Sequence, residues 1–232
     1  MTDAIATPEE LISRARALAP IFRENQEATE ANRRVSQEIF EQILDAGLYD
    51  VLLPSRYGGC EYGLDTFVDV AFEVARGCGS VGWNYSITSK YHAFLGMFPA
   101  EAQDEVWGNN RRAVIAASFT PAGQAVAVDG GYRLGGKWMY CSAVDNCGWI
   151  IVGTIVLSND GDGPGVKGYA LAPISDFSMD DNWHVVGLAG TGSKNVYCED
   201  LFIPAHRFLP LDDTISGNPP GAEVNKGPLY SL

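Results

Sequence analysis

The chain has 232 residues, a formal net charge of −13 and a sequence pI near 4.5. Hydrophobic residues make up 46% and charged residues 19%, the balance of a folded chain with room for one large domain or two smaller ones. So acidic a surface repels phosphate backbones and anionic lipid, which argues against general nucleic-acid binding and membrane docking.

The opening MTDAIATPEELISRAR carries acids and no apolar segment, so it does not read as a secretory signal. The longest apolar run, Trp149 to Leu157, is too short to cross a bilayer as a helix. A cytoplasmic location is expected.

From the N-terminus the pattern is helical. Thr7-Pro8-Glu9-Glu10 has the form of a capping box with proline in the first turn. That helix should reach the twenties, bent or broken at Pro20. A second begins at Ser36, buries Ile39, Phe40, Ile43 and Leu44, and ends with Gly47 in the left-handed position of a C-terminal cap. Further helices are expected over 64 to about 76, 80 to about 97, and 99–107. After residue 112 the period changes to that of strands: 112–119, 149–157, 168–172, 195–198 and 201–203. Asp129-Gly130-Gly131 and Gly135-Gly136 read as tight turns between them. The expected fold is therefore α+β, a helical domain over 1–112 followed by an antiparallel β-domain over 113–215. Residues 216–232, rich in Gly and Pro, read as a connector without an element of its own.

Several motifs fail. Gly163-x-Gly165-x-x-Gly168 has dinucleotide-fingerprint spacing but joins two strands, the context of a hairpin. Gly131-x-x-x-x-Gly136-Lys137 resembles a phosphate loop until Trp138 takes the place of the magnesium-binding hydroxyl. In Gly187–Gly192 the following Ser193 and Lys194 stand in the wrong order, and no serine occupies a GxSxG elbow. Cys60, Cys78, Cys141, Cys147 and Cys198 are odd in number and contain no CxxC, so packed, reduced thiols are expected. His92, His184 and His206 have no helical pair spacing, and no metal site is expected.

The ordered set of segments that remains resembles one family. Val128-Asp-Gly-Gly-Tyr-Arg-Leu-Gly-Gly-Lys-Trp138, then Gly187-Leu-Ala-Gly-Thr-Gly-Ser193 and Leu201-Phe-Ile-Pro-Ala-His-Arg-Phe208, resembles the middle β-domain of acyl-CoA dehydrogenases. Cys78-Gly-Ser-Val-Gly-Trp83, His92, 98–107, 118–123 and 138–149 are similar to the flavin-dependent aromatic hydroxylases of that fold. The resemblance spans essentially the whole chain. It implies the oxygenase component of a two-component monooxygenase. A separate flavin reductase would supply reduced FMN or FAD, and oxygen added at flavin C4a would hydroxylate a small phenolic substrate. The cofactor carries such chemistry, while the protein binds, orients and excludes water.

The resemblance also assigns residues. It places Ser142 beside flavin N5 and makes His92 a base for the phenol, together the catalytic pair. Trp83, Ser118, Thr120, Trp138, Cys141 and Ser142 form the cofactor-binding set. Read alone, Ser142 is a turn serine, Ser118 a strand end, the tryptophans core, and His92 a packed helix residue. His184 and His206, in β segments, read as structural. Ser142 and His92 are expected to face one pocket between the domains, with Ser118 and Trp83 on its walls. Many relatives carry Ser-Gly and then Asp-His where this chain has Ser142-Ala143 and Asp145-Asn146, which leaves the substrate open.

The family continues into a C-terminal four-helix bundle that builds a tetramer. This chain is expected to lack that bundle, to form a homo-oligomer in its full-length form, and to expose apolar surface at Phe67, Phe72, Trp83, Tyr85 and Phe94. Two other functions remain open at this point: acyl-CoA dehydrogenation, and a non-catalytic flavin-binding or assembly module.

Overall fold

A computed structural model describes residues 5–158 and 164–230. Helix α1 (Pro8–Glu24) starts at a complete capping box, with Thr7 Oγ1 accepting the Glu10 N–H and the Glu10 carboxylate accepting the Thr7 N–H. Pro20 lies inside α1 without ending it. It sits on the exposed side, where the carbonyl deprived of its donor faces water. A short α2 (Gln26–Ala31) follows that the apolar pattern did not foretell.

Ser36 caps α3 (Gln37–Asp45), which buries Ile39, Phe40 and Ile43 and leaves Leu44 half-buried. Gly47 follows at φ +71°, the left-handed conformation expected of it. Helices α4 (Leu64–Gly77), α5 (Gly79–Leu95) and α6 (Ala100–Trp107) complete the helical region.

The remaining strands are β1 (Ile115–Val128), β2 (Gly131–Cys141), β3 (Trp149–Leu157), β4 (Val166–Pro173), β5 (Ser178–Asp180), β6 (Lys194–Pro204) and β7 (Phe208–Pro210). They form a mostly antiparallel sheet of order β5-β6-β2-β1-β3-β4-β7, in which β1 and β3 alone run parallel. The two segments expected at 195–198 and 201–203 are one strand, β6, with a register shift between Leu134 and Gly136 on its partner. The β1–β3 pairing also slips between Ser118 and Gly123, so Phe119–Ala122 bulge out of the ladder.

Asp129-Gly130-Gly131 turns β1 into β2 as expected, with Gly130 at φ +75°. Gly135-Gly136 is not a turn. Both lie inside β2, paired with Gln124 and Gly123. Trp138 gives the reason: a Cβ on Gly123 would sit 2.3 Å from its ring, so the facing glycines make room for the indole. Gly165 and Gly168 lie before and within β4, in a strand context, whereas Gly163 falls outside the described residues.

One apolar cluster runs from Leu11, Phe22 and Val74 in the helices to Trp138, Val152 and Val196 in the sheet. A second joins Phe98 and Trp107 to Ile151 and Leu171. A short helix, α7 (Leu211–Ile215), closes the span expected to be β, and the stretch from 216 on, expected to carry no element, contains two short 3-10 turns, 220–223 and 228–230. It packs back on the helices. Gly221 N–H donates to Met97 O, Asn225 Nδ2 to Gly96 O, and Tyr230 is fully buried. Of the aromatics expected at the surface, Phe72 and Trp83 are exposed, Phe67 and Phe94 half-buried, and Tyr85 fully buried. Leu64, Val68 and Phe72 make an exposed apolar stripe on α4.

Candidate functional site

Ser142 follows the end of β2 and meets the N-terminal half of α5. Trp83 Nε1 on α5 donates to Ser142 Oγ at 3.1 Å. Ser142 is 6% exposed, whereas the indole that covers it is 49% exposed and presents its ring outward. Behind Ser142 runs a row of hydroxyls: Ser142 Oγ lies 2.6 Å from Ser193 Oγ, which lies 2.7 Å from Thr191 Oγ1. Thr191 Oγ1 in turn donates to Leu188 O at 2.8 Å.

The backbone around this row is unusual. Tyr140, Ala143 and Leu188 all have positive φ, at +62°, +61° and +57°. Side-chain-bearing residues avoid that region, and such strain collects where function or dense cross-linking holds it in place. Cross-links are present here. Ala143 N–H donates to Thr191 O, and Glu30 accepts the Ala189 N–H at 2.7 Å and the Ser80 hydroxyl. Beneath them Lys194 Nζ contacts Asp145 Oδ1 at 2.6 Å, with side-chain exposures of 11% and 13%. The loop 188–193 is thereby fastened to both α5 and β2.

From Trp83 an apolar row continues along the same side of α5 through Ile87, Tyr91 and Phe94, spaced four, four and three residues apart. It meets the bulge of β1, where Phe119 lies against Tyr91 and Phe94 with ring centroids 5.4 and 4.8 Å away. Ser118, at that bulge, donates to Met139 O at 3.1 Å, so its hydroxyl braces β1 against β2. Thr120 is exposed in the bulge.

Three expected site residues lie elsewhere. Trp138 is fully buried and donates to Gly153 O at 2.7 Å; its ring belongs to the sheet core and is no exposed wall. The Cys141 side chain is fully buried too, and burial pushes its thiol up to about 12. His92 is 1% exposed, packed between Trp107 and Tyr49, with ring nitrogens 3.2 and 3.3 Å from the carbonyl oxygens of Ser89 and Ala113. Burial lowers its pKa to about 4 against the opposing pull of those carbonyls. It stands at a different cavity, of about 420 Å³, lined by Tyr49, Asp50, Cys60, Arg111 and Arg112 among others. Among the described residues Ser142 and His92 are not brought together, contrary to the expectation of one shared pocket. The structure unites Ser142 with Trp83, and adds Thr191 and Ser193. Their signal is the Gly-Thr-Gly-Ser stretch, which carries the resemblance to the family without assigning either hydroxyl a role.

The five cysteines are free, and no group of three metal-ligating side chains occurs among the described residues. Among the described residues no helix is long and apolar enough to cross a membrane.

An exposed indole, a hydroxyl at its edge and an apolar row leading away along α5 suit a planar heteroaromatic ring with a polar rim. The sheet and helices around them have the acyl-CoA dehydrogenase architecture, and a family model for the acyl-CoA dehydrogenase N-terminal domain matches residues 9–109. The chain therefore shares the fold of that family. Within it, the similarity is to flavin-dependent oxygenase components. The oxygenase component of FADH(2)-dependent resorcinol hydroxylase from a Rhizobium species is 37% identical over 211 residues, covering 91% of this chain and 51% of that protein. The crystal structure of 3-HSA hydroxylase from Rhodococcus sp. RHA1 superposes with a TM-score of 0.93 at 36% identity, covering 96% of this chain and 57% of the other. XiaF from a Streptomyces species, in complex with FADH2 and glycerol, superposes with a TM-score of 0.86 at 30% identity over 90% of this chain and 53% of its own. The chain thus spans about half the length of the relatives it matches.

Proposed function

We propose that this chain supplies the helical and β portions of the oxygenase component of a two-component flavin-dependent monooxygenase acting on a phenolic or other small aromatic substrate. The single observation that carries the reading is the Trp83–Ser142 pair at 3.1 Å, a half-exposed indole fixed to a hydroxyl in a fold shared with flavin-dependent oxygenases.

In this reading Trp83 forms one wall for the flavin ring, and Ser142 Oγ bonds the ring's polar edge at N5. Ser118 and Thr120 border the site from the bulge of β1. A bound reduced flavin supplies oxygen activation and hydroxyl transfer. The protein's part is orientation and exclusion of water: Phe119, Tyr91 and Phe94 line an apolar approach for an aromatic ring. His92 is a packing residue of the helical core in this account.

A flavin reductase as partner, reduced FMN or FAD as cofactor, a homo-oligomeric assembly and a cytoplasmic setting complete the proposal. So does a boundary between helical and β regions near residue 112. The names of the relatives favour oxygenation over acyl-CoA dehydrogenation. Oxygen uptake and product analysis with reduced flavin, a reductase and a panel of phenols tests it. Hydroxylated product is the expected outcome; flavin-independent behaviour or dehydrogenation of an acyl thioester overturns the proposal.

A further inference from the structure

The row of hydroxyls behind Ser142 has a direction. Thr191 Oγ1 lies 2.8 Å from Leu188 O. Two oxygens that close repel unless a hydrogen lies between them, and a carbonyl has none to give. The same carbonyl already accepts the Trp183 indole N–H and the Thr191 backbone N–H, so acceptance is its only role. The Thr191 proton therefore points at Leu188.

Each remaining contact follows in turn. Ser193 Oγ, 2.7 Å from Thr191 Oγ1, must be the donor to it. Ser142 Oγ, 2.6 Å from Ser193 Oγ, must then donate to Ser193. From the other side Trp83 Nε1 donates to Ser142, and an indole N–H cannot act otherwise. A serine hydroxyl has one proton and two lone pairs. On Ser142 the proton points inward, one lone pair is held by Trp83, and one lone pair is left.

We infer that Thr191 and Ser193 hold Ser142 as an acceptor-only hydroxyl toward the ligand side, and that this arrangement selects reduced over oxidised flavin. The inference rests on the proposed flavin site and adds the device by which it discriminates. The reduced ring carries an N–H at N5; the oxidised ring has a lone pair there. An acceptor-only Ser142 pairs with the first and opposes the second. Turning Ser142 into a donor would require all three hydroxyls to rotate, leaving the Thr191 oxygen against the Leu188 carbonyl without a proton between them. Thr191 and Ser193 are positioning residues that act through Ser142. A chain fed with reduced flavin by a reductase gains from this directly, because oxidised flavin is rejected from the site.

The test is the ratio of dissociation constants for oxidised and reduced FMN, measured on the full chain by calorimetric or fluorescence titration, with the reduced form handled anaerobically. The wild type should prefer reduced FMN. Thr191→Val keeps the shape and removes the terminal donor; Ser193→Ala removes the middle of the row. In both, Ser142 is free to donate, and the ratio should move about tenfold toward unity, chiefly through tighter binding of oxidised FMN. If either folded variant weakens both forms alike and keeps the ratio, the residues serve packing and the inference is overturned. Equal wild-type binding of the two forms overturns it while sparing the flavin site. Binding of neither form overturns both.

Discussion

The indole of Trp83 and the imidazole of His92 stand on opposite sides of α5, nine residues apart. Nine residues are about two and a half turns, which reverses direction and separates the two by about 13.5 Å along the axis. Trp83 meets Ser142 on the β side, while His92 turns inward to Tyr49 and Trp107. One helix thereby serves the site with one side and the helical core with the other.

His92 should accordingly act on stability and not on flavin. Its folded pKa, about 4, lies below the ordinary 6.5, so as pH falls the unfolded chain takes up the proton first. The stability that neutral His92 provides is full above about pH 6.5 and is lost as pH falls through the window down to about 4, by about 3 kcal/mol in total. His92→Phe should flatten that part of the profile. Urea unfolding of both proteins across the window checks it; an unchanged pH dependence would contradict the buried, neutral assignment.

Trp83→Phe keeps an aromatic wall and removes the N–H that engages Ser142. Flavin affinity should fall by about fivefold to tenfold, the worth of one hydrogen bond, with little change in melting temperature because the indole is half exposed. Trp138→Phe should do the reverse. It leaves Gly153 O without its donor in the core and should cost about 1–3 kcal/mol of stability. Thermal melts and flavin titrations on the pair separate the two tryptophans.

The Lys194–Asp145 pair under the site is nearly buried, and Asp145 Oδ2 has no hydrogen-bond partner. Lys194→Met strands the carboxylate and should destabilise the protein by about 3 kcal/mol, whereas the double change Lys194→Met with Asp145→Asn should recover much of that loss. Chemical denaturation midpoints of the two variants decide it. Equal losses would show that the pair contributes no specific coupling.

Gly123→Ala should be poorly tolerated. The added methyl would lie 2.3 Å from the Trp138 ring and 3.2 Å from Leu134 and Thr154, so the sheet must shift. A loss of about 2 kcal/mol or more is expected by calorimetry; a neutral result would mean that the indole repacks freely.

The fold was legible where local chemistry dictates it. The Thr7 box, the Ser36 cap, Gly47 and the Asp129-Gly130 turn each act through neighbours in sequence, and each was placed correctly. The misreadings share a cause in distant partners. Gly135-Gly136 has the look of a turn because the strand that pairs Gly136 with Gly123, and so brings the Trp138 ring against both, is formed with residues a dozen positions away. Of the two outcomes expected at Pro20, a bend or a break, the break does not occur, and the exposure that lets the helix continue is set by how α1 docks on α4. At the site, resemblance located Ser142 and Trp83, yet not their hydrogen bond across 59 residues. Helical arithmetic from Trp83 to His92 was available in the sequence and predicts their opposition.

An anaerobic crystal structure of the chain with reduced flavin tests the central claim most directly. The account predicts the ring against Trp83, its N5 within hydrogen-bond distance of Ser142 Oγ, and the Thr191–Ser193–Ser142 row unmoved. A flavin bound away from Trp83, for instance in the cavity lined by Tyr49, Cys60, His92 and Arg111, would contradict it.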